Sequence, residues 1–390
     1  MTARSLAARV EAVTPAGRDR SIDALRALAI AGVVLGHWLV TAFVVTEPGL
    51  RVASPLSYLP ALAPLSWLLQ TLAVFFFVGG YAAARGLPTA GGYREWLLAR
   101  MNRLFRPALA LVAFWAVAAL IWMPAIDGES ARAVWTIVLS PLWFLVVYAG
   151  LLTVTPLVLN RPGRLVVPLV TAVVAVDVAR FGLGGPAWLG GMNVPTAWLV
   201  PFCLGVACAR GARLPAVGLL VGGTAATAVL MLWFGYPASL VGVPGQSRSN
   251  LNPPALVAVT FGLAQVGLAV LLRGPLTRLV RRPLAWAVVA LANLWAVRIF
   301  LWHQTALVAV TMFALGHARL AGLHTAPETP WWILPRLGWL PIFALVLLGG
   351  LMLGGRIEAS RRPGSGTPAA RGVPERNRGR SPERGGCPAP

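Results

Sequence analysis

Residues Leu25–Val40 read LRALAIAGVVLGHWLV. All but two are apolar or glycine, and a run of about 20 such residues crosses a bilayer as a helix. The exceptions are Arg26 near the start and His37 deep inside. They stand eleven residues apart. At ~100° per residue that separation returns to within about 20° of three full turns, so both lie on one helix face, about 16 Å apart along the axis. Ionisable groups at such depth are costly and face a protein interior or a watered cavity. Taken singly, each keeps a plainer alternative: a hydrogen-bonded packing histidine, and an arginine snorkelling to the interface. The shared face weighs against that pairing of accidents.

The same pattern fills the chain. Of 390 residues, 57% are hydrophobic and 12% charged, and the mean hydropathy is +0.73, far from a soluble domain. Apolar runs predict spans at 22–45, 62–84, 107–125, 133–159, 165–181, 194–209, 215–234, 253–272, 286–315 and 335–355. The expected fold is all-α, a polytopic membrane helix bundle. The 165–181 and 194–209 runs are the shortest and are open to being tilted, broken or re-entrant. All 33 basic residues are arginine, which with abundant Ala, Gly and Pro points to a GC-rich bacterial source. If the N-terminus is cytoplasmic, 25 arginines fall inside, six (Arg51, Arg132, Arg180, Arg248, Arg319 and Arg336) in the outer loops or at the outer ends of spans, and two (Arg26 and Arg298) deep within spans. That bias places both termini in the cytoplasm of a bacterial plasma-membrane protein. It also accounts for the net charge of +21 without nucleic acid. The expected organisation is a cytoplasmic N-terminal tail (1–20), a membrane domain (21–355) and a disordered basic tail (356–390). No small-residue cleavage site follows the first run, which therefore stays as a helix. Cys203, Cys208 and Cys387 show neither metal nor disulfide spacing.

A second basic cluster lies in LLARMNRLFRPALALVAFW, Leu97–Trp115. Arg100, Arg103 and Arg106 recur every third residue, so a helical conformation makes Arg100 and Arg103 neighbours. Such a pair suits an anion with several phosphates. Ordinary positive-inside loop charge explains it equally well on composition alone.

Five stretches in order, SIDALRALAIAGVVLGHW (21–38), FFFVGGYAAARG (75–86), RMNRLFRPALALVAFW (100–115), PLWFLVVYAGLLTVTPLV (141–158) and RIFLWHQTALV (298–308), resemble the signatures of the acyltransferase type 3 family of integral membrane proteins. The resemblance covers about residues 20 to 355. Its most specific elements are Arg-x10-His, met by Arg26 and His37, and Arg-x-x-Arg, met by Arg100 and Arg103. It implies ten or so spans and transfer of an acyl group, expected to be acetyl, from cytoplasmic acyl-CoA to a hydroxyl of a saccharide or glycosylated acceptor, with no metal. It makes His37 the catalytic base and Arg26, Arg100 and Arg103 the ligands of the CoA phosphates, with Arg106 an assisting residue beside them. Arg298, unusual inside a span, is either a further anion ligand or a charge that snorkels from the cytoplasmic third. Two departures stand out: Gly79 where the family motif has serine, expected here to be a packing position, and Phe300 where the family has tyrosine.

Other residues carry two readings each. Asp23 either orients Arg26, which would tie it to the catalytic set, or caps the helix. His303 either assists His37 or is a satisfied structural histidine, the second being favoured. Gly32 and Gly36 suit close helix approach; Gly350 and Gly354 need no function. Asp127 and Glu129 either contact a sugar acceptor or form a solvated turn, the second being favoured, and His317 and His324 are expected in a solvated loop. Trp143 either lines a cavity or packs at the interface. The competing class is a transporter or flippase of a lipid-linked or secreted saccharide, against which stand the lack of an internal repeat and of broken helices at matching positions. A purely structural scaffold would leave the Arg26 and His37 face without purpose.

Overall fold

The computed structural model of the chain describes residues 2–46, 49–122, 126–243, 248–317 and 319–360. Its helices are α1 (Ala3–Ala12), α2 (Arg20–Val40), α3 (Pro55–Tyr58), α4 (Ser66–Leu69), α5 (Leu72–Gly86), α6 (Tyr93–Trp122), α7 (Gly128–Leu139), α8 (Leu142–Thr153), α9 (Thr155–Asn160), α10 (Pro162–Asp177), α11 (Asn193–Ala209), α12 (Ala216–Trp233), α13 (Leu256–Leu279), α14 (Pro283–Leu315) and α15 (Ile333–Ser360). Among the described residues, ten helical segments are long and apolar enough to cross a membrane, one for each expected span.

The boundaries move for physical reasons. α2 begins at Asp19, whose carboxylate accepts from the backbone N–H of Ser21 and Ile22. It stops at Val40, because the β-branched residues that follow enter an antiparallel hairpin, β1 (Ala42–Val45) with β2 (Leu50–Ala53). The expected span 22–45 therefore runs five residues past the end of the helix. α6 starts at Tyr93 rather than 107 and carries Pro107 inside it, so the arginine cluster is helical and belongs to the third span. Residues 123–125, expected to close that span, lie outside the described residues.

Two spans are broken, contrary to the sequence expectation. The second is divided at Gln70–Thr71, where the Thr71 hydroxyl donates to Ala29 O on α2 at 2.7 Å. The fourth is divided at Ser140–Pro141, between α7 and α8, where proline supplies no donor. The first break rests on α2 because Gly32 and Gly36 leave room: a Cβ at Gly32 would lie 2.7 Å from Thr71 Oγ1.

The bundle centre is α5 against α11. Gly80 faces the backbone of Phe202, and Gly205 faces that of Phe77, at separations no Cβ would tolerate. Their aromatic residues join α2, α8 and α14 in one core containing Phe76, Phe144, Trp198 and Phe300. The N-terminal segment is also not a loose tail. Ala7 of α1 is buried, Arg20 pairs with Glu11 at 2.6 Å, and Trp286 Nε1 donates to Thr14, so α1 lies against the start of α14. Helix α15 continues to Ser360, past the expected start of the tail; residues 361–390, including Cys387, lie outside the described residues. Cys203 and Cys208 are free thiols.

Candidate active site

His37 sits one turn from the end of α2 and lines a cavity of about 780 Å³. This volume falls in the range of small-molecule sites. The walls come from the end of α2, the hairpin, both sides of the first helix break, the second break with the start of α8, α14 and the start of α15. Each break therefore has a place in the site: Gln70, Ser140 and Pro141 all face the cavity.

His303 on α14 lies beside His37, ring centroids 5.2 Å apart, and also lines the cavity. Its side chain is wholly buried. Nδ1 lies 2.6 Å from the Phe300 carbonyl, which can only accept, so Nδ1 carries the proton. That leaves Nε2 as an acceptor, buried with no partner among the described residues. A purely structural histidine would normally have both nitrogens satisfied.

The residue between them in function is Trp38. Its indole N–H donates to His303 O at 2.9 Å, and its own carbonyl accepts from Arg336 Nε at 2.6 Å. Arg336, read from sequence as a loop arginine, is 1% exposed. It also donates to Gly322 O and Thr41 O and touches the cavity wall. Trp143 lines the cavity too, while remaining 43% exposed.

The arginines gather elsewhere. Arg26 is on the face of α2 shared with His37, but toward its N-terminal end, and does not line the cavity. The charges of Arg26 and Arg103 act on Arg100, and those of Arg26 and Arg100 act on Tyr148. Arg100 stacks 4.2 Å over Trp96 and packs against Gly86. Among the described residues, neither Arg100 nor Arg103 pairs with a carboxylate. Arg106 is exposed, about 120° round α6 from Arg100. Arg298 stacks on Trp295 at 5.2 Å and does not line the cavity.

A row of rings joins the two regions. Tyr148 stacks on Phe144 at 6.1 Å, Phe144 meets Phe300 at 4.8 Å, and Phe300 meets His303 at 5.9 Å. Gly79 is a packing position in this row, for a Cβ there would lie 2.5 Å from Tyr148 Cε2.

Asp23 does not cap α2; Asp19 does. Asp23 pairs with Arg18 at 2.5 Å and more distantly with Arg26 at 3.7 Å. It stands about 21 Å along the helix from His37, too far to touch it. His324 is not solvated: it is 3% exposed and its Nε2 lies 2.9 Å from Thr311 O. His317 is exposed. Asp127 caps α7 and Glu129 pairs with Arg51 of the hairpin at 2.7 Å. Among the described residues no three His, Cys, Asp or Glu side chains converge as a metal site requires.

Comparison with known proteins agrees with this architecture. No curated protein and no solved structure matches the chain. A family model described as "Acyltransferase domain" matches residues 19–355. That match takes in all ten membrane-crossing segments up to its end, the histidine pair and the arginine cluster. The chain belongs to the acyltransferase type 3 family and is a multi-pass membrane acyltransferase.

Proposed function

We propose that the protein transfers an acyl group, acetyl in the first instance, from cytoplasmic acyl-CoA to a hydroxyl of a sugar-containing acceptor at the bacterial plasma membrane. The observation that carries this reading is the division of one helix face: Arg26 at one end, within electrostatic reach of Arg100, and His37 at the other end in a cavity beside His303. The N-terminal end of α2 and the start of α6 would face the cytoplasm, with both termini there, as the arginine bias requires.

Arg26, Arg100 and Arg103 would bind the CoA phosphates, for which three clustered guanidinium groups suit the charge. Asp23 would help hold Arg26. The pantetheine arm would run beside Tyr148, Phe144 and Phe300 towards His37. There the acceptor hydroxyl attacks the thioester carbonyl as its proton passes to the His37 imidazole. A C–O bond forms and the C–S bond breaks. The imidazolium then gives its proton to the departing thiolate, which restores neutral His37. His303 Nε2 is available to accept a hydrogen bond from the acceptor or from His37.

The test is binding and slow hydrolysis of acetyl-CoA by the purified protein, beside His37→Ala and Arg103→Ala. The expected result is that wild type binds and hydrolyses, the histidine variant binds but is inert, and the arginine variant binds weakly. Absence of acyl-CoA binding in the wild type would overturn the proposal and favour transport of a saccharide.

A further inference from the structure

The cavity at the histidine pair is poorly equipped to hold a bare sugar. Leucine is the commonest residue of its walls, as at Leu39, Leu56, Leu62, Leu69 and Leu72, and no Asp or Glu lines it. Most of its polar side chains are already committed. Ser66 Oγ donates to Ala63 O and accepts from Leu240 N. Ser140 Oγ donates to Ile137 O, Ser54 Oγ accepts from Leu56 N, and Gln70 Oε1 accepts from Leu72 N. Arg336 is spread over three carbonyls. Thr41, Asn252 and the Gln70 amide nitrogen add single polar groups to the wall, and the pair that stands together is His37 and His303 Nε2. A sugar buried whole among the leucines would leave hydroxyls without partners, each carrying its full desolvation penalty, so a sugar fits only at the polar end around the two histidines.

The mouth is apolar as well. Leu65, Leu68, Trp143 and Leu337 line the cavity and are 53%, 73%, 43% and 45% exposed. They lie on three separate membrane-crossing segments, so an opening at these residues would face the bilayer.

Resting on the acyltransferase reading above, we infer that the cavity takes an amphipathic acceptor. Its reactive hydroxyl meets His37 and His303, and an apolar body, a lipid chain or a hydrophobic aglycone, lies among the leucines. Entry is from the bilayer. The orphaned Nε2 of His303 fits one hydroxyl at the polar end, and the leucine walls fit what remains.

The test uses protein in lipid nanodiscs and a series of alkyl β-glucosides from methyl to octyl. Two readouts are taken: acetyl-CoA consumption and thermal stability, the second of which needs no turnover. The half-effect concentration is expected to fall at least tenfold from methyl to octyl glucoside. Leu62→Trp, which fills the cavity, should flatten that dependence relative to its own basal behaviour. Leu120→Trp, on the 81% exposed face of α6 and away from the cavity, should keep it. A glucoside of a rigid polycyclic alcohol, run alongside, tells an aglycone from a flexible lipid by which of the two acts at the lower concentration.

A flat series in the wild type overturns the inference, as does a chain-length dependence that survives in Leu62→Trp. So does a flat series combined with a tenfold preference for octanoyl-CoA over acetyl-CoA that Leu62→Trp removes, for then the cavity houses the donor chain. Failure of acyl-CoA to bind at all would instead sink the acyltransferase reading, and the thermal readout would still decide the cavity's occupant.

Discussion

Arg336 donates its Nε–H to the carbonyl oxygen of Trp38 at 2.6 Å, one residue beyond His37. The same guanidinium holds the carbonyls of Gly322 and Thr41 and lies 4.9 Å from the ring of Phe343. Among the described residues it has no carboxylate partner. Its compensation is the C-terminal end of α2, where unpaired carbonyls carry partial negative charge. Because Trp38 also donates to His303 O, one arginine on α15 steadies the backbones of both cavity histidines.

Replacing Arg336 should therefore cost stability and activity together. Arg336→Met leaves three buried carbonyls bare, at about 1–3 kcal/mol each. Arg336→Lys keeps a donor and a charge and should lose less of both. Thermal unfolding and acetyl-CoA hydrolysis measure the two effects. A methionine variant as stable as wild type would show that the clamp is dispensable.

Gly79 and Tyr148 make a second, purely steric prediction. A Cβ at Gly79 would lie 2.5 Å from Tyr148 Cε2 and 3.2 Å from its hydroxyl. Gly79→Ser, which restores the residue found in the family motif, should destabilise by about 1–3 kcal/mol through overpacking. In a Tyr148→Ala background that penalty should vanish. Unfolding of the two single variants and the double variant closes the cycle; equal costs in both backgrounds would place the clash elsewhere.

The arginine cluster predicts a kinetic signature. Arg100→Ala and Arg103→Ala should raise the KM for acyl-CoA by roughly tenfold each, the value of one charge-assisted hydrogen bond, and leave kcat less affected. Arg106→Ala, about 120° round α6 from Arg100, should stay near wild type. The wild-type KM should also rise with ionic strength. A fall in kcat at constant KM would assign these arginines to the reacting centre instead.

How much of this was legible in the sequence follows from what kind of interaction is involved. The shared face of Arg26 and His37 is a property of helical period alone, and it is visible in sixteen residues. The ten spans come from local hydropathy. Asp19 was missed although the signal was local: an aspartate directly before the first apolar run is a cap. Arg336 and His324 were misassigned because their burial is decided by what meets them in space, the end of α2 for one and Thr311 for the other. The break at Gln70–Thr71 was likewise invisible, since it depends on Gly32 and Ala29 lying across it. The division of the site into an arginine end and a histidine cavity needed all of these together.

Asp19 gives a prediction about pH. Burial pushes its carboxyl up, but hydrogen bonds from Ser21 and Tyr81 and the charge of Arg273 more than offset this, leaving it below the ordinary 3.8. The Arg273 contact is 2.7 Å and the Tyr81 contact 2.9 Å. A carboxyl depressed in the folded state contributes stability in full above its unfolded value and loses it as pH falls through the folded value. The contribution should thus be constant from neutrality down to about pH 5, begin to fall as pH approaches the unfolded value of about 3.8, and be lost as pH drops further through the lower folded value. Asp19→Asn keeps an oxygen for the helix cap and removes the charge, so it should be less stable than wild type at pH 7 by about 1 kcal/mol. The difference between the two proteins cancels every other titrating group and should shrink on acidification below pH 4. Thermal unfolding of both between pH 7 and pH 3 measures it. A gap that stays constant to the lowest pH would mean that Asp19 acts on α2 through the cap alone, with no part played by its pairing to Arg273 on α13.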